Sequence, residues 1–345
     1  MDQSLSQLHQ ALKMNFFSKY NLQILVVLAV AVIFVFGPKG FAEKKQVASV
    51  ESVFVDKTVL SNTDAVAVGE NMPIFELKNG ENSSLGAGAY LPSKIFTEIQ
   101  NNPRLETEVP NVLVADLMTS EKYFEKNINK RWPIASLTKL MTGYIAFEKL
   151  NMADTVILKK EDIDINESEI FSEGDSYSVK DLVRVMLISS RNTAANALAN
   201  YFGRSAFLEL MNSNAKEWGM SDTNFEDPSG LSVANQSTAM DLLKLSQVIT
   251  KDYPDIWKIT ENTKVSIKEL TTKRILTSNS TNQFTERSDF FGGKTGYIPA
   301  SDGNLLSVFL YQKRTIVIIT LGSQDRFGDT EKIFNWFING FRTSN

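Results

Sequence analysis

The sequence contains no cysteine and a single histidine among its 345 residues. Without cysteine there is no thiolate nucleophile, no disulfide framework and no zinc ribbon. The histidine, His9, precedes a long apolar run, so a Ser-His-Asp or Cys-His mechanism has no histidine in the folded part. A metal site built only from carboxylates remains possible, but no HExxH motif or EF-hand loop supports one. Any general base must therefore be a carboxylate, a tyrosine or a lysine with a shifted pKa.

Charge is nearly balanced, with 36 basic and 40 acidic residues and a formal net charge of −4. This balance gives no reason to expect a nucleic-acid partner, because such partners require a basic surface. Hydrophobic residues make up 43% of the chain and charged residues 22%, which is typical of a globular protein and argues against disorder.

An unbroken apolar run of thirteen residues extends from Ile24 to Phe36. Extended to residues 22–42, it approaches the roughly 20 residues that cross a bilayer. The run has no polar face, which disfavours a buried helix of a soluble domain. A cleaved signal peptide and an uncleaved signal anchor remain. About twenty residues precede the run, which is long for the n-region of a signal peptide, so we favour the anchor.

The chain is predicted to have four segments. These are a cytoplasmic tail (1–21), a transmembrane signal anchor or signal peptide (22–42), a stalk or linker (43–104) and a globular domain (105–345). Hydrophobic periodicity within the last segment predicts a strand at 112–115, helices at 135–150, 181–188 and 193–202, a hairpin of strands 304–311 and 315–321, and a closing helix at 329–341.

The first motif that could carry out catalysis is Ser136-Leu-Thr-Lys139, within a predicted helix. Positions i and i+3 share a helix face, so the Ser136 hydroxyl and the Lys139 amine can touch. A lysine acts as a base only when neutral, and desolvation or a second cation lowers its pKa. The pair could supply an activated serine without histidine. Taken alone, the motif is more typical of an ordinary helix start with a solvated lysine.

The second motif is Ser190-Arg191-Asn192, in the break between two predicted helices. A hydroxyl and a carboxamide on a loop can relay a proton and hold a substrate amide. Serine and asparagine are also common in turns and helix caps, so this motif alone is weak.

The third motif is Lys294-Thr295-Gly296, which follows two glycines and enters a predicted strand. Its lysine and threonine offer a cation and a hydroxyl to a carboxylate, and the glycines allow close approach of the backbone. A glycine-rich turn with a solvated lysine is the alternative interpretation.

In this order the three motifs resemble those of the penicillin-binding proteins and serine β-lactamases. The flanking sequences are similar to those of the low-molecular-mass D-alanyl-D-alanine carboxypeptidases, over about Leu105 to Phe341. The matching stretches include residues 133–142, 171–175, 178–182, 225–231, 237–241 and 321–327. The resemblance implies an α+β fold in which helices flank an antiparallel sheet and a helical subdomain completes a cleft that holds the motifs.

The resemblance also implies roles for individual residues. Ser136 would be the nucleophile, Lys139 its base and Ser190 a proton relay to the leaving amine. The substrate-binding residues would be Asn192, Lys294, Thr295, Gly296, Tyr297 and Arg326. Among these, Asn192 would hold the substrate amide, and the N–H of Tyr297, with that of Ser136, would form the oxyanion hole.

The implied substrate is a peptidoglycan stem peptide ending in D-Ala-D-Ala, so residues 105–345 would be a transpeptidase-like peptidase domain outside the cytoplasm. β-Lactam antibiotics would act as covalent inhibitors, and the implied mechanism requires no cofactor and no metal. Three positions depart from the family pattern. Arg191 stands where the family usually has glycine, Ile298 where a threonine hydroxyl is usual, and Gln236 where histidine is usual. These departures put substrate preference and rate in question more than reaction type.

Three alternatives remain open at this point. A class A-like serine β-lactamase would need a deacylating glutamate, for which Glu226 is the candidate. A D,D-endopeptidase of the same family would cut cross-linked peptides. A membrane-tethered wall-binding protein without catalysis would retain the fold but not acylate.

Overall fold

The computed structural model describes residues 95–343. Its α-helices are α1 (Thr138–Lys149), α2 (Val179–Ile188), α3 (Asn192–Phe202), α4 (Arg204–Glu217), α5 (Ala239–Asp252), α6 (Asp255–Thr260) and α7 (Arg326–Gly340). Short 3₁₀ turns occupy Ala135–Leu137, Lys160–Asp162, Ile165–Glu167 and Gln283–Glu286.

The strands are β1 (Phe96–Glu98), β2 (Asn111–Asp116), β3 (Lys122–Lys126), β4 (Trp132–Pro133), β5 (Thr155–Ile157), β6 (Ser176–Ser178), β7 (Gln236–Ser237), β8 (Lys264–Lys268), β9 (Ile275–Asn279), β10 (Phe290–Ile298), β11 (Asp302–Tyr311), β12 (Arg314–Ser323) and β13 (Phe341–Thr343). Five of them form the main antiparallel sheet in the order β10-β11-β12-β2-β3.

The main sheet is covered on both faces, as the alternation along β2 shows. Val112 and Val114 belong to one apolar cluster, whereas Leu113 and Ala115 belong to another. Side chains two residues apart point to the same face of a strand, so each cluster marks one face of the sheet. The first cluster contains the aromatic residues of α7, such as Phe334 and Phe337.

The second cluster extends from the sheet into a helical subdomain formed between β3 and β10. Helix α1 lies at its centre, and its residues from Thr138 to Ala146 are all buried. Helix α3 is rich in alanine, which allows close packing against its neighbours. The expected α+β fold, with an antiparallel sheet, flanking helices and a helical subdomain, is confirmed.

The predicted hairpin is present, with longer strands than the pattern indicated. Strands β11 and β12 meet at Gln312 and Lys313, whose φ angles are 47° and 64°. Two consecutive positive φ values are those of a type I′ turn, whose twist suits a tight hairpin. The sequence gives no signal for this turn type, because neither residue is the glycine or asparagine that usually adopts a positive φ.

The folded part begins earlier than the boundary predicted at residue 105. Strand β1 lies in the segment assigned to a stalk, and it pairs antiparallel with β13. Phe96 is 1% exposed and packs among aromatic rings including Tyr311 and Phe337. The expected membrane span at residues 22–42 lies outside the described residues, and within 95–343 no helix is long and apolar enough to cross a bilayer.

Candidate active site

The Ser136 hydroxyl is placed by a strained turn. Ser136 lies in the 3₁₀ turn Ala135–Leu137, which runs directly into α1. Ala135 has a φ of 49°, a left-handed conformation that costs a non-glycine residue on the order of 1–2 kcal/mol. Strain of this kind persists only where the surrounding structure enforces it.

Two glycines allow neighbouring segments to approach this turn. A Cβ atom at Gly230 would lie 2.0 Å from the carbonyl oxygen of Ala135, and Gly230 also has a φ of 88°. A Cβ atom at Gly296 would lie 2.7 Å from the carbonyl oxygen of Ile134 and 3.3 Å from the Ser136 nitrogen. Any larger side chain at either position would push its segment away from Ser136.

Lys139 lies one helical turn after Ser136 and is fully buried. Its Nζ lies 2.8 Å from Ser136 Oγ, 2.7 Å from Asn192 Oδ1 and 2.6 Å from the carbonyl oxygen of Ser229. The asparagine and carbonyl oxygens can only accept hydrogen bonds. A neutral Lys139 would therefore direct its two N–H bonds at them and its lone pair at the Ser136 hydroxyl. This geometry is that of a base poised to remove a proton.

Burial is the main reason why Lys139 can act as this base, because it lowers the pKa of the ammonium group to about 8. The charges of Glu167, Asp227 and Asp164 oppose the shift. Of the two causes that the sequence offered, desolvation and a second cation, desolvation is the one that lowers the pKa of Lys139.

Ser190 occupies the break between α2 and α3 with a φ of 61°. Its Oγ accepts a hydrogen bond from Lys294 Nζ at 2.9 Å. Lys294 is 1% exposed, and burial, followed by the charges of Lys139 and Arg326, holds its pKa well below the usual range. The three motifs predicted from the sequence therefore meet around two buried lysines.

Asn192 is engaged within the protein to a greater extent than the resemblance implied. Its Oδ1 accepts from Lys139, and its Nδ2 donates to Asp164 Oδ2 at 2.7 Å. An amide nitrogen carries two hydrogens, so one N–H is left to donate to a substrate carbonyl. Asn192 can thus serve the base and a substrate at once.

The opposite wall of the site is formed by β10 and the start of α7. Arg326 donates to the carbonyl oxygen of Gly296 at 3.0 Å, and Thr295 Oγ1 lies 2.7 Å from Thr281 Oγ1. A cavity of about 540 Å³ is lined by Arg326 and by Tyr297, whose side chain is 61% exposed, but not by Ser136 or the two lysines. The hydrogen bond to Gly296 and the effect of the Arg326 charge on the pKa of Lys294 place Arg326 beside the third motif.

A loop that the sequence marked only as a family signature holds the Ser229 carbonyl in place. Asp227 accepts hydrogen bonds from the backbone N–H groups of Ser229, Gly230 and Ser232, each at 2.7 Å. Burial would raise the pKa of Asp227, but these bonds and that of the Ser229 hydroxyl together lower it. The loop carbonyl, together with Asp164 and Glu167, was missed because no motif contains these residues.

The hydrogen bonds made at the three departures from the family pattern involve none of the reacting groups. Arg191 donates to Ser278 Oγ on β9 at 3.1 Å. Ile298 is 9% exposed, and its N–H donates to Ser301 Oγ. Glu226 is exposed and accepts a hydrogen bond from Ser232, an arrangement that lends no support to the β-lactamase alternative. Within residues 95–343, no cluster of three histidine, aspartate or glutamate side chains is arranged to hold a metal ion.

The Ser136 and Lys139 pair has the geometry that a serine acyl-transfer enzyme with a lysine base requires. A family profile described as D-alanyl-D-alanine carboxypeptidase matches residues 97–325, and the chain belongs to this family.

Curated relatives include two kinds of enzyme. The chain is 28% identical to the D-alanyl-D-alanine endopeptidase of Escherichia coli over 67% of this chain and 77% of the relative. It is 29% identical to the D-alanyl-D-alanine carboxypeptidase DacD of Salmonella typhimurium, over 67% of this chain and 63% of the relative. The chain therefore spans less than two thirds of the second relative.

Among solved structures, penicillin-binding protein D2 of Listeria monocytogenes in its ampicillin-bound form is similar to this chain. The two share 28% identity with a TM-score of 0.61, over 68% of this chain and 98% of the other.

Proposed function

We propose that this protein is a serine D-Ala-D-Ala carboxypeptidase that removes the terminal D-alanine from peptidoglycan stem peptides through an acyl-enzyme on Ser136. The observation that carries the proposal is the contact of 2.8 Å between Ser136 Oγ and the Nζ of the fully buried Lys139. The family profile and the relatives named carboxypeptidases support the same activity.

In the acylation step, Ser136 Oγ attacks the carbonyl carbon between the two D-alanines as Lys139 takes its proton. The developing oxyanion would lie between the N–H groups of Ser136 and Tyr297, where each donor is typically worth a few kcal/mol. Collapse of the intermediate breaks the peptide bond, and D-alanine leaves as an amine after receiving a proton through Ser190. Water then hydrolyses the ester and regenerates Ser136.

The terminal carboxylate of the substrate would bind at the cationic wall. Lys294 and Arg326 supply positive charge, and Thr295 supplies a hydroxyl. An anion there would favour the protonated form of Lys294, which burial otherwise disfavours. Substrate binding and the charge of this lysine are therefore coupled.

Penicillins imitate the D-Ala-D-Ala end, so a stable acyl-enzyme on Ser136 is expected. Labelling of the full chain with a fluorescent penicillin tests this, with Ser136→Ala as the matched control. Release of D-alanine from a synthetic pentapeptide tests the activity itself. An unlabelled wild-type protein, or equal labelling of the alanine variant, would contradict the mechanism.

A D,D-endopeptidase is the second candidate. It is favoured by the Escherichia coli relative and by the D-alanyl-D-alanine endopeptidase of Haemophilus influenzae, which is 35% identical over 55% of this chain and 68% of the relative. The chemistry at Ser136 would be unchanged, and only the leaving group would be larger. Cleavage of a cross-linked peptide dimer, compared with D-alanine release from a pentapeptide, separates the two activities.

We also propose that residues 22–42 form a membrane anchor and that the catalytic domain lies outside the cytoplasm, where its proposed substrate is located. The apolar run from Ile24 to Phe36 supports this arrangement. Membrane fractionation followed by protease treatment of intact spheroplasts tests it. A catalytic domain that stays protected, or that is recovered without membranes, would contradict the proposal.

A further inference from the structure

Two buried carboxylates lie directly behind Asn192. Asp164 is 8% exposed and Glu167 is 7% exposed, and both belong to the loop that contains the 3₁₀ turn Ile165–Glu167. Asp164 Oδ2 accepts from Asn192 Nδ2 at 2.7 Å, and Asn192 Oδ1 accepts from Lys139 at 2.7 Å. Carboxylate, amide and base therefore form one line of hydrogen bonds that ends at the nucleophile.

Glu167 holds the backbone of the same residue. Its Oε1 accepts from the N–H of Asn192 and its Oε2 from the N–H of Thr193, each at 2.9 Å. These N–H groups open α3, whose N-cap residue Arg191 makes no side-chain capping bond. A carboxylate at a helix N-terminus satisfies its free N–H groups and interacts favourably with the helix dipole. Glu167 thus fixes where α3, and with it Asn192, begins.

We propose that Asp164 and Glu167 are positioning residues for the lysine base, because together they orient Asn192 so that its carbonyl oxygen faces Lys139. An asparagine side chain can present either its oxygen or its nitrogen in nearly the same place. An ionised carboxylate only accepts hydrogen bonds, so Asp164 requires the nitrogen of Asn192 and turns the oxygen toward the base. The inference rests on the proposed acylation of Ser136.

The same carboxylates set the charge around the base. The charged groups that face Lys139 are Asp164, Glu167, Asp227 and Lys294. The three carboxylates raise the pKa of Lys139 against the effect of burial. Removal of one negative charge therefore lowers this pKa. Because only neutral Lys139 is active, the acidic limb of the acylation rate then moves to lower pH.

The test is the second-order rate of acylation by a penicillin, measured against pH for the full chain and its variants. Asp164→Ala is expected to lower the plateau rate by on the order of 10- to 100-fold, because a misplaced catalytic group costs about this much. Asp164→Asn keeps one acceptor oxygen and should recover most of the plateau. Both Asp164→Asn and Glu167→Gln should move the midpoint to lower pH.

Asp162 provides the matched control. It lies on the same loop, is 2% exposed, and its carboxylate accepts from the N–H of Lys159 at 2.7 Å and from Asn200 Nδ2, two turns beyond Asn192 on α3. It contacts neither Asn192 nor Lys139, and its charge does not act on the pKa of Lys139. Asp162→Asn should therefore keep the wild-type plateau and midpoint. A wild-type plateau in Asp164→Ala, or an unchanged midpoint in both charge variants, overturns the inference. If Asp164→Ala does not fold, the midpoints of the other two variants decide. A wild-type protein that never acylates contradicts the proposed function instead.

Discussion

The two buried lysines of the site have opposite electrostatic surroundings. Lys139, on the helical side, is faced by three carboxylates that oppose the effect of burial on its pKa. Lys294, on the sheet side, is faced by the charges of Lys139 and Arg326, which add to that effect. The helical wall thus offsets the positive charge of its lysine, whereas the sheet wall disfavours the charged form of Lys294 until an anionic substrate group binds beside it.

The comparison predicts the largest loss when the base is removed. Lys139→Met fills the same buried volume without an amine, and acylation by penicillin should fall by on the order of 10³- to 10⁴-fold. Thermal melting should show that the variant is folded, since it no longer buries a charge. A rate within tenfold of wild type would show that another group takes the proton of Ser136.

The next largest effect is expected in the pH profile, which reports the pKa of Lys139. With a pKa of about 8, Lys139 is charged below that value and neutral above it, so kcat/KM should rise with pH through a midpoint near 8. At pH 6 the rate should be about 100-fold below the plateau, because each pH unit below the midpoint lowers the neutral fraction tenfold. Initial rates between pH 5 and pH 10 measure this. A flat profile would assign the base to a different group.

The sheet wall is tested by Lys294→Met. We expect a 10- to 100-fold lower kcat/KM on a peptide with a free terminal carboxylate, which is about the contribution of a charge-assisted hydrogen bond. A substrate with an amide in place of the carboxylate should be affected less. Equal losses on the two substrates would show that Lys294 acts in proton transfer alone and does not recognise the anion.

The smallest effect is expected at Arg191, which faces β9 and neither lysine. Arg191→Gly restores the usual family residue and removes the bond to Ser278 Oγ. Acylation should change by less than about 3-fold, while the free energy of unfolding falls by about 1 kcal/mol. Denaturant unfolding and penicillin labelling measure both. A large gain in rate would place the Arg191 guanidinium in the path of the substrate.

Much of this site could be predicted because its motifs combine local spacing with characteristic residue types. Ser136 and Lys139 meet because they are three residues apart on a helix, which periodicity alone indicates. The strained φ of Ala135 and the 3₁₀ turn at the nucleophile could not be predicted, since alanine gives no signal for a left-handed conformation.

The groups that hold Asn192 and Lys139 in place could not be predicted, for a different reason. Asp164 and Asn192 are 28 residues apart, and Lys139 and the Ser229 carbonyl are 90 apart. Their meeting depends on how separate elements pack, and a single backbone carbonyl has no residue signature. The same holds for β1, whose three residues are too few to show a period and whose place is fixed only by β13.

The pairing of β1 with β13 brings the two ends of residues 95–343 to the same edge of the molecule. Phe96 lies opposite Thr343, and Glu98 lies opposite Phe341. The chain therefore ends close to where these residues begin. A short linker joining these ends, with new ends opened at the exposed turn of Gln312 and Lys313, should yield a circularly permuted enzyme in which the order of the three motifs along the chain is unchanged.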